Sequence, residues 1–329
     1  MRTRIHRLVA VALVLMMPLA GCAKRVEGPT KVTLMLDWAP NTNHTGFFVA
    51  RDKGWYREEG LDVDIVQPGQ GNTPVSIVAS GKADFGISFQ EEVTNARATG
   101  VPIVSIAAIV QHNTSALISL KDKGIRRPKD LEGKKYAAFG LPIERQVLDV
   151  LMKCDGGDVN KVTFVDIGSS DPLTAIGRDM DVAWIFEGWE GIEAGLRNLP
   201  VSLIRFGDWS NCLPDYYTPV IVTSEATIAK RPSIVTRFLA ATAQGYQYAI
   251  DHPAEAAEIL IQAAPEANPE LIRQSQTWLS PRYQADAPRW GEQKLSIWQG
   301  YAVWMAGHGL LPKEIDAGKA FTNGFLPKE

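Results

Sequence analysis

The residues able to do chemistry gather at a few separated points of this 329-residue chain. Asp37-Trp38 stands where an alternating apolar run (Val32, Leu34, Leu36) breaks at Pro40 into Asn41-Thr42-Asn43-His44-Thr45. The spacing predicts a short strand, a polar loop, and a helix beginning near Phe47-Phe48-Val49-Ala50. An indole plate, a carboxylate, an amide and an imidazole at a strand's carboxyl end suit binding of a small molecule, because open α/β sheets hold ligands there. Phe89 and Gln90 stand in the same relation to a strand ending at Ser88. Glu187, Trp189 and Glu190 follow an apolar run, residues 182–186, and Tyr217 lies in a polar, proline-containing join. Each has a competing structural role. Trp38 and Phe89 could be core, His44 a satisfied structural group, Glu190 a solvated first-turn acid, and Tyr217 hinge packing. Gly140 to Glu144 opens a helix whose N–H groups could hold an anion, although Glu144 already fits that place.

Catalytic and metal chemistry find little support. There is no nucleophile–base motif of the Gly-x-Ser-x-Gly kind. Neither Cys154 nor Cys212 has a Cys or His neighbour at metal-ligand spacing, so no metal is expected; whether the two pair is left open by their spacing. Arg2, Arg4 and Arg7 precede an apolar stretch, residues 8–20, too short to span a membrane, and Leu19-Ala20-Gly21-Cys22 closes it. This resembles a bacterial lipoprotein signal, with Cys22 the lipidated residue of an exported protein and residues 22–30 a tether. Its loss removes three arginines and no acid, taking the net charge from −3 to −6. No basic patch remains for nucleic acid.

The elements that must position these residues alternate. Strands are expected at 61–66, 81–88, 103–110, 116–120, 135–139, 162–167, 181–186, 201–206 and 220–223. Helices are expected at 73–79, 90–98, 142–152, 233–251, 254–264, 269–278 and 293–308, with short ones opened by Arg127-Pro128 and Asp171-Pro172. Alternation at this length predicts an α/β chain with covered, largely parallel sheets, and about 300 residues exceed one ordinary core.

Several phrases carry a resemblance to a known family. They are Leu36-Asp37-Trp38-Ala39-Pro40-Asn41-Thr42-Asn43-His44-Thr45-Gly46, Gly54-Trp55-Tyr56-Arg57-Glu58-Glu59-Gly60-Leu61 and Gly81-Lys82-Ala83-Asp84-Phe85-Gly86. Phe89-Gln90-Glu91-Glu92, Gly188-Trp189-Glu190 and Asp215-Tyr216-Tyr217-Thr218-Pro219 add to these. The chain resembles type II periplasmic substrate-binding proteins of ABC importers, within them the branch that binds thiamine pyrimidine precursors such as formylaminopyrimidine. The resemblance implies two lobes with the ligand cleft between them. Lobe one would be residues 31–115 plus 219–329 and lobe two residues 116–218, joined at Asn113-Thr114-Ser115 and Tyr217-Thr218-Pro219. It implies a monomer without a cofactor, whose partners are an aminopyrimidine, a permease with its ATPase, and the membrane through Cys22. A flat, nitrogen-rich ring wants aromatic faces and carboxylate or amide edges. That makes Asp37, Trp38, Asn43, His44, Phe89, Gln90, Glu187, Trp189, Glu190 and Tyr217 the candidate ligand contacts. Two alternatives remain open. One is an importer receptor for a flavin or a sulfonate. The other is an enzyme resembling yeast thiamine-pyrimidine synthase, whose Cys-Cys-Cys-Phe-Cys run is here Asn211-Cys212-Leu213-Pro214-Asp215.

Overall fold

The computed structural model describes residues 28–69, 73–168 and 170–328; the expected signal segment and Cys22 lie outside the described residues. Among the described residues ten strands form two sheets. They are β1 (Thr30–Met35), β2 (Leu61–Val66), β3 (Phe85–Ser88), β4 (Ile103–Ala108), β5 (Ser115–Leu120), β6 (Lys135–Ala138), β7 (Thr163–Asp166), β8 (Val182–Phe186), β9 (Val201–Arg205) and β10 (Val220–Ser224). The first sheet runs β2-β1-β3-β10-β4 and the second β7-β6-β8-β5-β9. In each, one strand is antiparallel to both neighbours: β10 to β3 and β4, and β5 to β8 and β9. Each is the first strand laid down after the chain crosses between sheets, so the crossings at residues 109–114 and 206–219 set the topology.

The strands form where apolar residues alternate or run together. In β1, Val32 and Leu34 are buried, and β4 is buried along its whole length. The expected strand over 81–88 is shorter, because Gly81 with φ 75° makes a turn and pairing begins only at Phe85. The helix expected at 269–278 instead runs Pro269–Gln284, through Pro281. A proline there removes an internal N–H. The apolar stripe Leu271, Ile272, Leu279 and Tyr283 nevertheless stays buried on one face, and Ser280 Oγ donates to the Ala249 carbonyl at 2.7 Å. Packing outweighs the lost bond.

One helix serves both halves. On helix Leu295–Gly307, Trp298 and Ala302 pack with the first sheet's residues, while Tyr301 and Met305 join the cluster built on Leu117, Trp184 and Phe206 of the second. Trp304 Nε1 donates to the Cys212 carbonyl at 2.6 Å. Cys154 and Cys212 are joined as a disulfide, with Cα atoms 6.2 Å apart.

The loop after β1 is fixed from beneath. Helix Thr45–Asp52 lies against helix Pro232–Asp251 so closely that a β-carbon on Gly245 would collide with the Gly46 carbonyl. This approach brings Tyr246 Oη to the Asn43 carbonyl at 2.6 Å and lets Tyr283 donate to the Thr42 carbonyl. Thr45 Oγ1 donates to Gln276 at 2.6 Å.

Candidate ligand-binding cleft

The carboxyl ends of β1 and β3 face the carboxyl end of β8 across the crossings, and most candidates lie there. Trp38 is 48% exposed, so it is not core. Beside it, Asp37 Oδ1 and His44 Nε2 are 2.7 Å apart, and the Asn41 N–H donates to His44 Nδ1 at 3.2 Å. An imidazole nitrogen that accepts carries no proton, so Nε2 is the donor and Asp37 the acceptor. His44 is buried; it aims Asp37, whose other oxygen has no hydrogen-bond partner among the described residues. Asn43 contributes its carbonyl to Tyr246 and its N–H to Asn41 Oδ1 at 2.9 Å.

Gln90 and Tyr217 satisfy each other. The Gln90 amide oxygen accepts from Tyr217 N at 2.8 Å, its amide nitrogen donates to the Ile297 carbonyl at 3.3 Å, and Gln90 N donates to the Tyr217 carbonyl at 3.0 Å. The Tyr217 hydroxyl accepts from Lys294 N at 2.9 Å. Both residues are buried, and together they brace the second crossing against helices Gln90–Ala98 and Leu295–Gly307.

Phe89, next to Gln90, stacks on Phe186 at the end of β8, with ring centroids 6.5 Å apart, and this pair spans the two halves. Glu187 accepts from Arg205 Nε at 2.8 Å and lies near enough to Arg282 for their charges to interact. Trp189 packs, half-buried, against the core of the first half. Its neighbour Gly188 gives its carbonyl to Ser275 Oγ, and a β-carbon there would press on the Trp278 ring. Glu190 turns back on its own strand end and accepts from Phe186 N at 3.0 Å; burial pushes its carboxyl up to about 7.

Two acids outside the sequence-derived candidates occupy the first turn of helix Gln90–Ala98. Burial pushes Glu91 up to about 8, and its Oε2 has no hydrogen-bond partner. Burial also raises Glu92, which accepts from Ser88 Oγ at 2.6 Å and feels the charge of Asp37. The sequence signal was the doublet itself, placed directly after a strand's carboxyl end. Among the described residues, no lysine or arginine pairs with Asp37, Glu91 or Glu92. The acid that carries this face is Asp37, whose free oxygen favours hydrogen-bond donors and positive charge, while burial holds Glu91 and Glu92 toward their neutral forms.

The N–H groups that open the helix after residue 140 are taken by Glu144, as its place in the first turn suggests. Glu144 accepts from Phe139 N at 3.0 Å, Leu141 N at 3.0 Å and Tyr136 Oη at 2.9 Å.

Two mixed sheets, two crossings and a polar cleft at strand carboxyl ends define the type II periplasmic-binding-protein fold. The alkanesulfonate-binding protein SsuA of Xanthomonas axonopodis shares it, with a TM-score of 0.68 over 90% of this chain and 99% of that one at 13% identity. Residues 41–256 match the family described as NMT1/THI5 like, and the chain belongs to that family. It is 29% identical to the formylaminopyrimidine-binding protein of Halalkalibacterium halodurans over 93% of this chain and 94% of the relative. It is 27% identical to a 4-amino-5-hydroxymethyl-2-methylpyrimidine phosphate synthase of Legionella pneumophila, covering 91% and 93% respectively.

Proposed function

We propose that this protein is the solute-binding lipoprotein of an ABC importer. It captures a thiamine pyrimidine precursor, of the formylaminopyrimidine or hydroxymethylpyrimidine type, and hands it to the permease. The observation that carries the reading is Asp37, aimed by His44 and without a paired lysine or arginine among the described residues, next to an exposed Trp38. A flat aminopyrimidine presents an aromatic face to the indole and N–H donors to Asp37. A sulfonate presents three anionic oxygens and would meet like charge, even though sulfonate-binding proteins share the fold. Lipidation at Cys22 would keep the domain beside its permease.

The second reading is an enzyme, favoured by relatives that carry synthase names at 27% identity. Against it, the cysteine run of the yeast synthase is reduced here to Cys212, and that cysteine is held in a disulfide with Cys154.

Calorimetry on the mature protein tests the proposal. Formylaminopyrimidine or hydroxymethylpyrimidine should bind, an alkanesulfonate should not, and Trp38→Ala should weaken the pyrimidine by roughly tenfold or more. Pyrimidine binding absent in the wild type, or unchanged by Trp38→Ala, contradicts the reading.

A further inference from the structure

A serine or threonine inside a helix commonly turns its hydroxyl onto the carbonyl one turn back. Thr277 does so, donating to the Arg273 carbonyl at 2.9 Å. Ser275, two residues earlier on helix Pro269–Gln284, does not. Its hydroxyl leaves the helix and donates to the Gly188 carbonyl. The helix belongs to the first half, since Ile272, Leu279 and Tyr283 join the core built on β1 and β3. Gly188 belongs to the second half, in the π-helical turn Glu187–Gly191 that follows β8. The bond therefore crosses between the halves, and both residues are buried. A hydroxyl has one proton to give. Because Ser275 gives its proton to Gly188, its 2.5 Å contact with Thr42 Oγ1 makes Thr42 the donor there. Thr42 stands in the loop that follows Asp37 and Trp38, and Gly188 lies between Glu187 and Trp189. Ser275 thus joins the two groups of candidate ligand contacts. Gly188 permits the approach, because a β-carbon would lie 2.9 Å from the Trp278 ring. Arg282, whose guanidinium sits 3.6 Å over that ring, adds attraction to Glu187 between the same two elements.

We infer that Ser275 is a positioning residue that holds the cleft shut over its ligand, by tying the loop after β1 to the turn after β8, and so sets how long the ligand stays bound. The inference rests on the pyrimidine-binding reading above. Parting the halves breaks the bond from Ser275 to Gly188. The bonds that shape the loop, from Tyr283 to the Thr42 carbonyl, Tyr246 to the Asn43 carbonyl and Thr45 to Gln276, all lie within the first half and survive. A ligand therefore meets the same loop whether or not the latch is made, and leaves only after it breaks. Loss of the Ser275 hydroxyl acts on dissociation, the rate through which most affinity changes run. It also strands two buried groups, the Thr42 hydroxyl and the Gly188 carbonyl, in the closed state.

Stopped-flow tryptophan fluorescence with formylaminopyrimidine, on the mature protein, reads association and dissociation separately. Ser275→Ala should speed dissociation by roughly tenfold and change association by less than about threefold. Thr42→Val, which keeps the side chain's shape but cannot donate, should speed dissociation by roughly threefold or more. The double variant should release the ligand no faster than Ser275→Ala, within about twofold, because Thr42 reaches the second half through Ser275. Increases that multiply in the double variant overturn the inference. So does a Ser275→Ala protein changed in association alone, or in neither rate, and the pyrimidine reading then stands. If Ser275→Ala does not fold, Gly188→Ala takes its place, since it presses the turn off the Trp278 ring with the hydroxyl intact. Faster dissociation at unchanged association is again expected, and unchanged rates overturn the inference. A wild type that binds neither formylaminopyrimidine nor hydroxymethylpyrimidine overturns the pyrimidine reading. Small-angle scattering of the ligand-free proteins then decides the latch: a larger radius of gyration for Ser275→Ala than for the wild type supports it, and equal radii overturn it.

Discussion

Glu144 and Glu91 hold equivalent places in the two halves of the molecule. Each stands in the first turn of a helix that follows a sheet strand, and burial raises the carboxyl of both. Their surroundings differ. Glu144 receives two backbone N–H groups and the Tyr136 hydroxyl, so bonds offset part of the cost of burying it. Glu91 keeps an oxygen with no hydrogen-bond partner among the described residues, beside the stacked rings of Tyr216 and Tyr301. The first arrangement closes a turn. The second leaves a buried oxygen unpaired, at a cost in stability.

Breaking the structural acid should have the largest effect. Glu144→Leu leaves two N–H groups and a phenol unpaired in a buried site and should cost about 3 kcal/mol in chemical denaturation. Ligand affinity of the folded fraction should be unchanged. A loss below half that size would mean water replaces the carboxylate.

Changing the unpaired acid should act the other way. Burial moves Glu91 from an unfolded value near 4.5 up to about 8. Between these values the folded state holds more protons than the unfolded state, so the wild type loses stability as pH rises through that window. Gln does not titrate. Glu91→Gln should therefore gain on the wild type as pH rises from about 4.5 to about 8, reaching on the order of 3 kcal/mol at pH 7. Parallel pH–stability profiles would show that Glu91 is not held protonated by the fold. Trp38→Ala, at a half-exposed position, should change stability by no more than about 0.5 kcal/mol. Its large effect is confined to binding.

Much of this organisation is legible in the sequence. Alternation at Val32, Leu34 and Leu36, the break at Pro40, and capping prolines such as Pro74 and Pro172 specify strand, loop and helix starts with little tertiary help. The strand end at Asp37-Trp38 is legible for the same reason, since no core-facing register accommodates the polar loop that follows. Gln90 and Glu91 show where the reading stops. Adjacent positions on a helix point about 100° apart, and only the packed neighbours decide what each of the two meets. Here Tyr217 and Ile297, distant in sequence, claim Gln90, while Glu91 lies beside Tyr216 and Tyr301. Tyr301 likewise joins Tyr216 and Glu91 only through the docking of a helix near the chain's end. The passage of a helix through Pro281 is decided by its buried stripe, a tertiary effect that outweighs local propensity.

The central claim is that Asp37 beside an indole plate selects a neutral or cationic aminopyrimidine rather than an anion. Native mass spectrometry of the mature protein, purified without denaturation, tests it most directly. The account predicts a species heavier than the free protein by the mass of an aminopyrimidine, lost on gentle activation. An organosulfonate, a flavin or pyridoxal phosphate leaving with the protein would contradict it.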